Sequence, residues 1–230
     1  MKQAFLLLAA ALTMTMAGHA QTADKPAVPA EGLRMAVIGD SYVKNHREPV
    51  ENTWHWKLAK KYGMKYYNYG RNGSCVSADM RVWGPSVAHR YESMADSLDI
   101  IIVIAGHNDA ARLAETVSDT TTTLPHYREE CLRLCRGLTE RWPQARIFWF
   151  TPWANDDPRF DTIVAATKEI CGSMGIPVFD AAHESNIFAR SDAFRNIYFQ
   201  GGARDHAHLN ARGHDRFLPV AEHFIMQQMF

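Results

Sequence analysis

Residues 34–46 read RMAVIGDSYVKNH, a short apolar run that stops at Gly39 and is followed at once by Asp40 and Ser41. A short apolar segment that ends in turn-forming residues is typical of a buried strand. Ser41 could therefore be a turn residue that closes the strand. It could also be a nucleophile that the end of the strand presents to a substrate.

Apolar runs of the same kind recur along the chain and alternate with longer amphipathic segments. Strands are predicted at residues 34–39, 64–70, 99–106, 145–152 and 176–180. Helices are predicted at residues 51–62, 86–96, 125–141, 158–174 and 210–229. Parallel strands need a long crossover, usually a helix, so the alternation predicts an α/β fold with a parallel five-stranded sheet covered on both faces.

The first 20 residues, MKQAFLLLAAALTMTMAGHA, combine one lysine, an apolar stretch and small residues at Gly18 and Ala20. This pattern predicts a cleaved signal peptide, because the apolar stretch is too short for a membrane anchor. Residues 21–32 are predicted to be a polar linker, and residues 33–230 are long enough for one domain with a full core. We therefore expect an exported bacterial protein, periplasmic or secreted, without stable membrane insertion.

The charges are balanced, since 25 Lys and Arg residues offset 25 Asp and Glu residues without long runs of either sign. This balance argues against nucleic acid and anionic lipid as partners. A neutral or weakly charged ligand is the expected partner, and the sequence carries no signal for an oligomeric state.

The four cysteines are too few for a disulfide-stapled scaffold of this length. Cys131 and Cys135 lie four residues apart, on one face of a predicted helix. Burial as small hydrophobic side chains is the expected role of these two. A disulfide or a metal-binding pair is the alternative.

Chemically active residue types lie in four blocks, three directly after predicted strands and one before the last helix. The blocks are Gly39-Asp40-Ser41, Asn68–Ser74 with Gly70 and Gly73, Gly106–Asp109 with Asn108, and Gly201–His214 with Asp205 and His208. Ligands bind at the carboxyl ends of parallel strands, so we expect the blocks to meet there. Each also has a structural explanation: Gly-Asp-Ser and Gly73 suit turns, and Asn108 could cap a helix that begins near Asp109.

Together the blocks contain the parts of an acyl-transfer site. Ser41 needs a base to become a nucleophile, His208 can accept its proton near neutral pH, and Asp205 can hold the imidazole in place. The negative charge on the carbonyl oxygen needs preorganised donors. The backbone N–H groups of Ser41 and Gly73 and the side-chain amide of Asn108 can supply them.

In order and spacing these blocks resemble the SGNH (GDSL-type) hydrolases, and the resemblance spans residues 37–214. It implies a flavodoxin-like three-layer α/β/α sandwich and a Ser-His-Asp mechanism, with no cofactor or metal. Carried over by position, Ser41 is the nucleophile, Asp205 and His208 complete the triad, and Gly73 and Asn108 join Ser41 as oxyanion donors. Gly70 is an alternative to Gly73, while His206 lacks the Asp-x-x-His spacing of His208.

Other classes of protein fit the sequence less well. The Gly-x-Ser-x-Gly elbow of α/β-hydrolases would need a glycine where Val43 stands. A metal hydrolase could use Asp205, His206, His208 and His214, but it would leave the Ser, Gly and Asn blocks unexplained. A non-catalytic glycan-binding protein has no need of every catalytic residue type.

The expected substrate is a small-molecule or glycan ester. Export, balanced charge and polar loops favour a carbohydrate O-acetylesterase, with Tyr42, His107 and Trp153 as candidate substrate contacts. These side chains, like Trp83 and Phe199, could equally cover the core. A lipolytic esterase or lysophospholipase of the same fold is the alternative.

Overall fold

Five short strands form one parallel sheet in the computed structural model, which describes residues 30–229. The strands are β1 (Arg34–Gly39), β2 (Lys65–Gly70), β3 (Ile100–Ile104), β4 (Arg146–Phe150) and β5 (Val178–Phe179). Their order across the sheet is β2-β1-β3-β4-β5, and each neighbouring pair is parallel. The first and last residues of each strand lie within two positions of the predicted bounds, which confirms the α/β class.

The predicted signal peptide, residues 1–20, lies outside the described residues, as does most of the predicted linker, residues 21–32. The described chain begins at Ala30, which is already buried in the core. In this described part, no helix combines the length and the hydropathy needed to cross a membrane.

Side chains of the central strands alternate between two cores, one on each face of the sheet. In β3, Ile100, Ile102 and Ile104 belong to one core, whereas Ile101 and Val103 belong to the other. All five are at most 3% exposed. Because both faces are covered, the strand is a continuous apolar run instead of an alternation of apolar and polar residues.

Helices cover both faces of the sheet. They are α1 (Ser41–Lys44), α2 (Trp54–Lys61), α3 (Val87–Arg90), α4 (His107–Ala111), α5 (Leu124–Arg141), α6 (Pro158–Ser173), α7 (Ala181–Glu184), α8 (Asp192–Tyr198) and α9 (Ala211–Met229). α2 and α9 pack together over one face, and α5 and α6 pack over the other. The three-layer α/β/α arrangement is therefore confirmed.

The prediction of a helix over residues 86–96 is wrong in extent. α3 ends at Arg90, and a single 3-10 turn, Tyr91–Ser93, follows it. The Arg90 guanidinium reaches the sheet, where it donates to the backbone oxygens of Gly39 and Tyr69.

The other four predicted helices correspond to α2, α5, α6 and α9, and their first and last residues differ from the observed ones by at most three positions. The sequence pattern misses α1, α7 and α8, which span only four to seven residues and are too short to show a helical period.

All four cysteines are buried and their thiols are free, as predicted for Cys131 and Cys135. Cys131 and Cys135 of α5 lie beside Cys171 of α6, with the three Sγ atoms within 4.8 Å of one another. Cys135 Sγ lies 3.8 Å from Cys171 Sγ. The sequence could pair the two cysteines of one helix, but the third comes from a helix whose packing partner the sequence does not specify.

Gly70 brings the end of β2 into close contact with the segment that follows β1. A Cβ atom at this position would lie 2.3 Å from the backbone nitrogen of Lys44, well inside van der Waals contact. The absence of a side chain at Gly70 therefore lets β2 pack directly against α1, the helix that begins with Ser41.

We expect Gly70→Ala to lower the free energy of unfolding by about 1–3 kcal/mol, because the added methyl group has to displace the backbone of α1. The matched control is Gly172→Ala in α6, where an added Cβ meets no heavy atom within 4 Å. Alanine should stabilise that position by roughly 0.5–1 kcal/mol. Urea unfolding of the two variants measures both effects, and a Gly70→Ala protein as stable as the wild type would contradict this account of the contact.

Candidate active site

Ser41 lies at the carboxyl edge of the sheet, as the first residue of α1. Asp40 precedes it as the N-cap, and its Oδ1 accepts the backbone N–H of Tyr42 at 2.9 Å. The backbone N–H of Asp40 in turn donates to the oxygen of Ile104, at the end of β3, at 3.4 Å. Ser41 therefore follows a strand end directly and begins a capped helix, which fixes its backbone on both sides.

A chain of hydrogen bonds joins Ser41 to His208 and Asp205. Ser41 Oγ lies 2.9 Å from His208 Nε2. His208 Nδ1 lies 3.1 and 3.2 Å from the two carboxylate oxygens of Asp205. The fold thus brings together three predicted site residues, although 167 positions separate Ser41 from His208.

Asp205 accepts hydrogen bonds from the backbone as well as from the imidazole. Its Oδ1 accepts the N–H groups of Ala207 and His208, both at 2.9 Å, and its Oδ2 accepts the N–H of Gly201 at 3.2 Å. Burial alone would raise the pKa of Asp205, but the hydrogen bonds from His208 and Ala207 outweigh burial and hold the pKa well below its usual value. Asp205 is therefore a carboxylate, and only an acceptor, at neutral pH.

The loop that carries Asp205 and His208 is anchored close to both residues. Trp153 Nε1 donates to the backbone oxygen of Ala207 at 3.0 Å. The backbone N–H of Gln200 donates to the oxygen of His208 at 2.8 Å. Trp153 is only 5% exposed, so its indole holds the loop from inside the core.

The side-chain amide of Asn108 is fixed on both sides. Its Nδ2 donates to the oxygen of Ser74 at 3.1 Å and to Asp40 Oδ2 at 3.3 Å. Its Oδ1 accepts from the Arg112 guanidinium at 2.9 Å. Because a guanidinium can only donate, Arg112 defines which end of the amide is oxygen, and the nitrogen faces Asp40.

α4 begins at His107, so Asn108 lies inside this helix and the interpretation of Asn108 as a helix cap is wrong. The next residue, Asp109, is fully buried. It accepts the backbone N–H groups of Val76 and Ser77 at 2.8 and 3.1 Å. Asp109 therefore ties the loop after β2 to α4, a role that sequence reasoning missed although the residue lies directly beside Asn108.

Asp40 is a second site residue that sequence reasoning treated only as part of a turn. Its carboxyl group is fully buried, with one oxygen on the Tyr42 N–H and the other on the Asn108 amide. Burial raises the pKa of Asp40 to about 7, against the lowering effects of the Tyr42 N–H and the charge of His208. The charge of Asp40 therefore changes with pH near neutrality.

Gly73, and not Gly70, offers a free backbone N–H in the loop after β2. The Gly70 N–H donates to Asn68 Oδ1 at 2.9 Å, whereas the Gly73 N–H has no acceptor within residues 30–229. Gly73 has a φ of +73°, and a Cβ there would lie 2.3 Å from the ring of Trp83. The backbone N–H of Ser41 also lacks an acceptor among the described residues. The geometry therefore favours Gly73 over Gly70 as a donor.

His46 stacks on His208, a contact for which the sequence gives no signal. The ring centroids lie 4.0 Å apart and the ring planes differ by 13°. Asn45 and His46 both have positive φ angles, 68° and 48°, and this unusual turn after α1 places the ring. Burial, together with the charge of His208, lowers the pKa of His46, so a neutral ring covers one face of His208.

Two cavities adjoin the site, and the three predicted substrate contacts are divided between them. Ser41, Tyr42 and Trp153 line a small cavity of about 10 Å³. His107 and His208 line an open cavity of about 620 Å³. The Tyr42 and Trp153 rings stack on each other with centroids 5.5 Å apart and are at most 7% exposed. Their faces are therefore covered, which leaves them as walls of the small cavity.

The ligands that a metal hydrolase could have used, Asp205, His206, His208 and His214, do not form a cluster of metal ligands. His214 is buried, and its Nε2 lies 3.1 Å from Asn45 Oδ1, so it has a packing role. His206 is exposed. Over residues 30–229, the only group of three or more potential ligands whose ligand atoms all lie within 4.8 Å of one another is the cysteine trio of α5 and α6.

Solved bacterial structures share this fold. They include a protein from Lactobacillus plantarum, 22% identical, which matches 86% of this chain and 98% of that chain with a TM-score of 0.71. A member of the lipolytic protein G-D-S-L family from Veillonella parvula is 14% identical, and the match covers 84% of this chain and 97% of that chain with a TM-score of 0.60. A mutant of an acetyl-xylooligosaccharide esterase from Geobacillus is 18% identical, and the match covers 85% of this chain and 94% of that chain with a TM-score of 0.64. No curated protein matches the sequence.

The sequence model of the GDSL-like lipase/acylhydrolase family matches residues 37–216. This match covers most of the chain and contains all four blocks, so it confirms the resemblance to the SGNH hydrolases. The chain therefore belongs to the GDSL-like lipase/acylhydrolase family and is an ester hydrolase.

Proposed function

We propose that the protein is an exported serine esterase that removes short acyl groups, above all O-acetyl groups, from carbohydrates. The observation that carries the proposal is the hydrogen-bonded chain from Ser41 through His208 to Asp205. In this proposal residues 33–230 form the single catalytic domain, and the signal peptide at residues 1–20 directs it to the periplasm or the medium.

The proposed mechanism follows from the protonation state of the three groups. The Asp205 carboxylate only accepts, so it keeps the proton of His208 on Nδ1 and leaves Nε2 free to accept. Ser41 then loses its proton to Nε2 as Oγ attacks the ester carbon. His208 gives this proton to the leaving alcohol, and a water molecule that His208 deprotonates releases the acid from the acyl-enzyme.

Three donors are available for the oxyanion that forms in each step. The backbone N–H groups of Ser41 and Gly73 have no acceptor in the described chain. The third donor is the Asn108 amide, whose contact with Asp40 is long at 3.3 Å. In the proposed mechanism an oxyanion shares this hydrogen with Asp40, and donors fixed in advance are worth most where charge develops.

The small cavity beside Ser41 supports a short acyl group. Its volume of about 10 Å³ corresponds to roughly one water-sized sphere. The stacked rings of Tyr42 and Trp153 line it. Among acyl groups, acetyl needs the least additional space here, whereas a longer acyl chain would have to displace the stacked rings.

The open cavity supports a polar alcohol half of the ester. Its lining includes the polar side chains of His107, Gln200 and Arg204, which suit a hydroxyl-rich ligand. The Geobacillus protein of the same fold is an esterase of acetylated xylooligosaccharides. Both observations favour a glycan over a lysophospholipid.

Ser41→Ala should reduce hydrolysis of p-nitrophenyl acetate by roughly 10⁴-fold or more, because the acyl-enzyme can no longer form. The melting temperature should stay close to that of the wild type, since the residue loses one hydroxyl. The matched control is Ser118→Ala, which changes an exposed serine far along the chain from Ser41. A fully active Ser41→Ala enzyme would refute the serine mechanism.

Asn108→Ala should lower kcat by roughly 10²–10³-fold with little change in KM, because its amide acts mainly on the charged transition state. Steady-state kinetics with p-nitrophenyl acetate separates the two constants. A change confined to KM would show that Asn108 binds only the ground-state substrate, and the oxyanion assignment would then fail.

Activity on p-nitrophenyl esters from acetate to decanoate should peak at acetate and fall with chain length. A site that buried the whole chain would instead gain about 0.8 kcal/mol for each CH₂ group. The measurement is kcat/KM across the series, with Ser41→Ala as the blank. Rates that rise to eight carbons or more would replace the proposal with the lipolytic esterase.

A further inference from the structure

Four exposed cations at the rim of the site lack a salt-bridge partner. They are Lys44, Arg47, Arg71 and Arg204, and none of them pairs with a carboxylate inside residues 30–229. Cations elsewhere are often paired, as in Arg34 with Asp99, Arg128 with Glu169, and Arg159 with Asp157. Other cations, such as Lys65 and Arg136, are also unpaired in the described chain, but these four lie together around the cavities at the carboxyl edge of the sheet.

Two of these cations line a separate cavity of about 490 Å³, which we call the basic cleft. Its lining residues are Lys44, Gly70, Arg71, Asn72, Arg81, Val82, Trp83 and Gly84. The lining contains no acidic residue, and only Arg81 has an acidic partner, Asp119 at 3.6 Å. Trp83 is 41% exposed, so the cleft combines unpaired cations with an accessible aromatic ring.

The basic cleft adjoins the proposed reaction centre at two points. The Trp83 ring lies against Gly73, whose N–H is a proposed oxyanion donor. Asn72, which lines the cleft, donates to the backbone oxygen of His46 at 3.4 Å, and His46 lines the open cavity above His208. A ligand whose ester reaches Ser41 can therefore extend along the surface into the cleft.

Positive charge also lies behind the basic cleft. Arg90 is largely buried and donates to the backbone oxygens of Gly39 and Tyr69. Burial, together with the nearby charge of Arg71, lowers the pKa of Arg90 to about 10, so Arg90 keeps its charge at neutral pH. Arg90 thus adds to the field that Lys44 and Arg71 present to the solvent.

We infer that the preferred substrate is an anionic glycan, in which a carboxylate or sulfate group binds Lys44 and Arg71 while the sugar ring stacks on Trp83. This inference rests on the proposed function and names its substrate class. A guanidinium binds planar or multi-oxygen anions through paired hydrogen bonds, and an ammonium acts as a point charge. An exposed indole offers the apolar face that stacks on a sugar.

The expectation of a neutral ligand came from the net charge of the chain, which averages over the whole surface. Recognition depends on the charges within a Debye length of the ligand, roughly 8–10 Å at ordinary ionic strength. On that scale the basic cleft is positive. For the same reason, its effect should weaken as salt is added.

The test compares unesterified sugars as inhibitors of p-nitrophenyl acetate hydrolysis at low salt. The three inhibitors are oligogalacturonate, a sulfated xylooligosaccharide and a neutral xylooligosaccharide of the same length. We expect at least one anionic sugar to inhibit at a concentration about tenfold or more below that of the neutral sugar. The carboxylate and sulfate arms show which anion the cleft prefers. Added salt of about 0.5 M should remove most of the difference.

The double variant Lys44→Gln/Arg71→Gln should reduce the preference for the anionic sugar to within about twofold. The matched control is Lys65→Gln/Arg136→Gln, two exposed cations away from the cleft, which should keep the preference. Thermal melting shows that both variants are folded. Equal inhibition by charged and neutral sugars, or an equal loss in the control, would overturn the inference.

Calorimetric titration of the wild type with the same sugars keeps this inference separate from the proposed function. An enzyme inactive on every ester that still binds the anionic sugar through Lys44 and Arg71 would refute the esterase proposal and leave the cleft assignment standing. An active esterase that binds no anionic sugar in preference to the neutral one would refute the cleft assignment alone.

Discussion

The arrangement of the site depends on one buried carboxyl group, that of Asp40. One of its oxygens caps the helix that starts at Ser41, and the other accepts from the Asn108 amide. A buried carboxyl group is costly unless donors surround it. Here the donors come from the segments that follow β1 and β3, so this group holds Ser41, the proposed nucleophile, and Asn108, a proposed oxyanion donor, relative to each other.

Two further carboxylates organise the remaining loops in the same way. Asp109 holds the backbone of the loop that contains Gly73, through Val76 and Ser77. Asp205 accepts hydrogen bonds from three backbone N–H groups of its own loop and also contacts the imidazole of His208. Each loop is therefore held by hydrogen bonds to a carboxylate, and such preorganisation is what the donors of the proposed oxyanion hole require.

The surface beside the site combines unpaired cations with an exposed aromatic ring. Lys44 and Arg71 face solvent without an acidic partner in the described chain, whereas Arg34 and Arg128 are paired with carboxylates. Aromatic residues also divide by position, because Tyr42 and Trp153 support the site from inside the core while Trp83 is exposed beside Gly73. In the proposed function, the buried rings restrict the acyl side of the ester, and the exposed ring with the cations is available to the alcohol side.

The strands, the long helices and the order of the four blocks could be read from local patterns, because burial on both faces of a sheet requires continuous apolar runs and the chemistry requires particular residue types. The stacking of His46 on His208, the contact of Asp40 with Asn108 and the small cavity beside Ser41 could not be read in this way. These features join residues from different loops, and their geometry depends on how the loops cross at the edge of the sheet. Short-range sequence periodicity reports whether a residue is buried, but only packing specifies which distant side chain it meets.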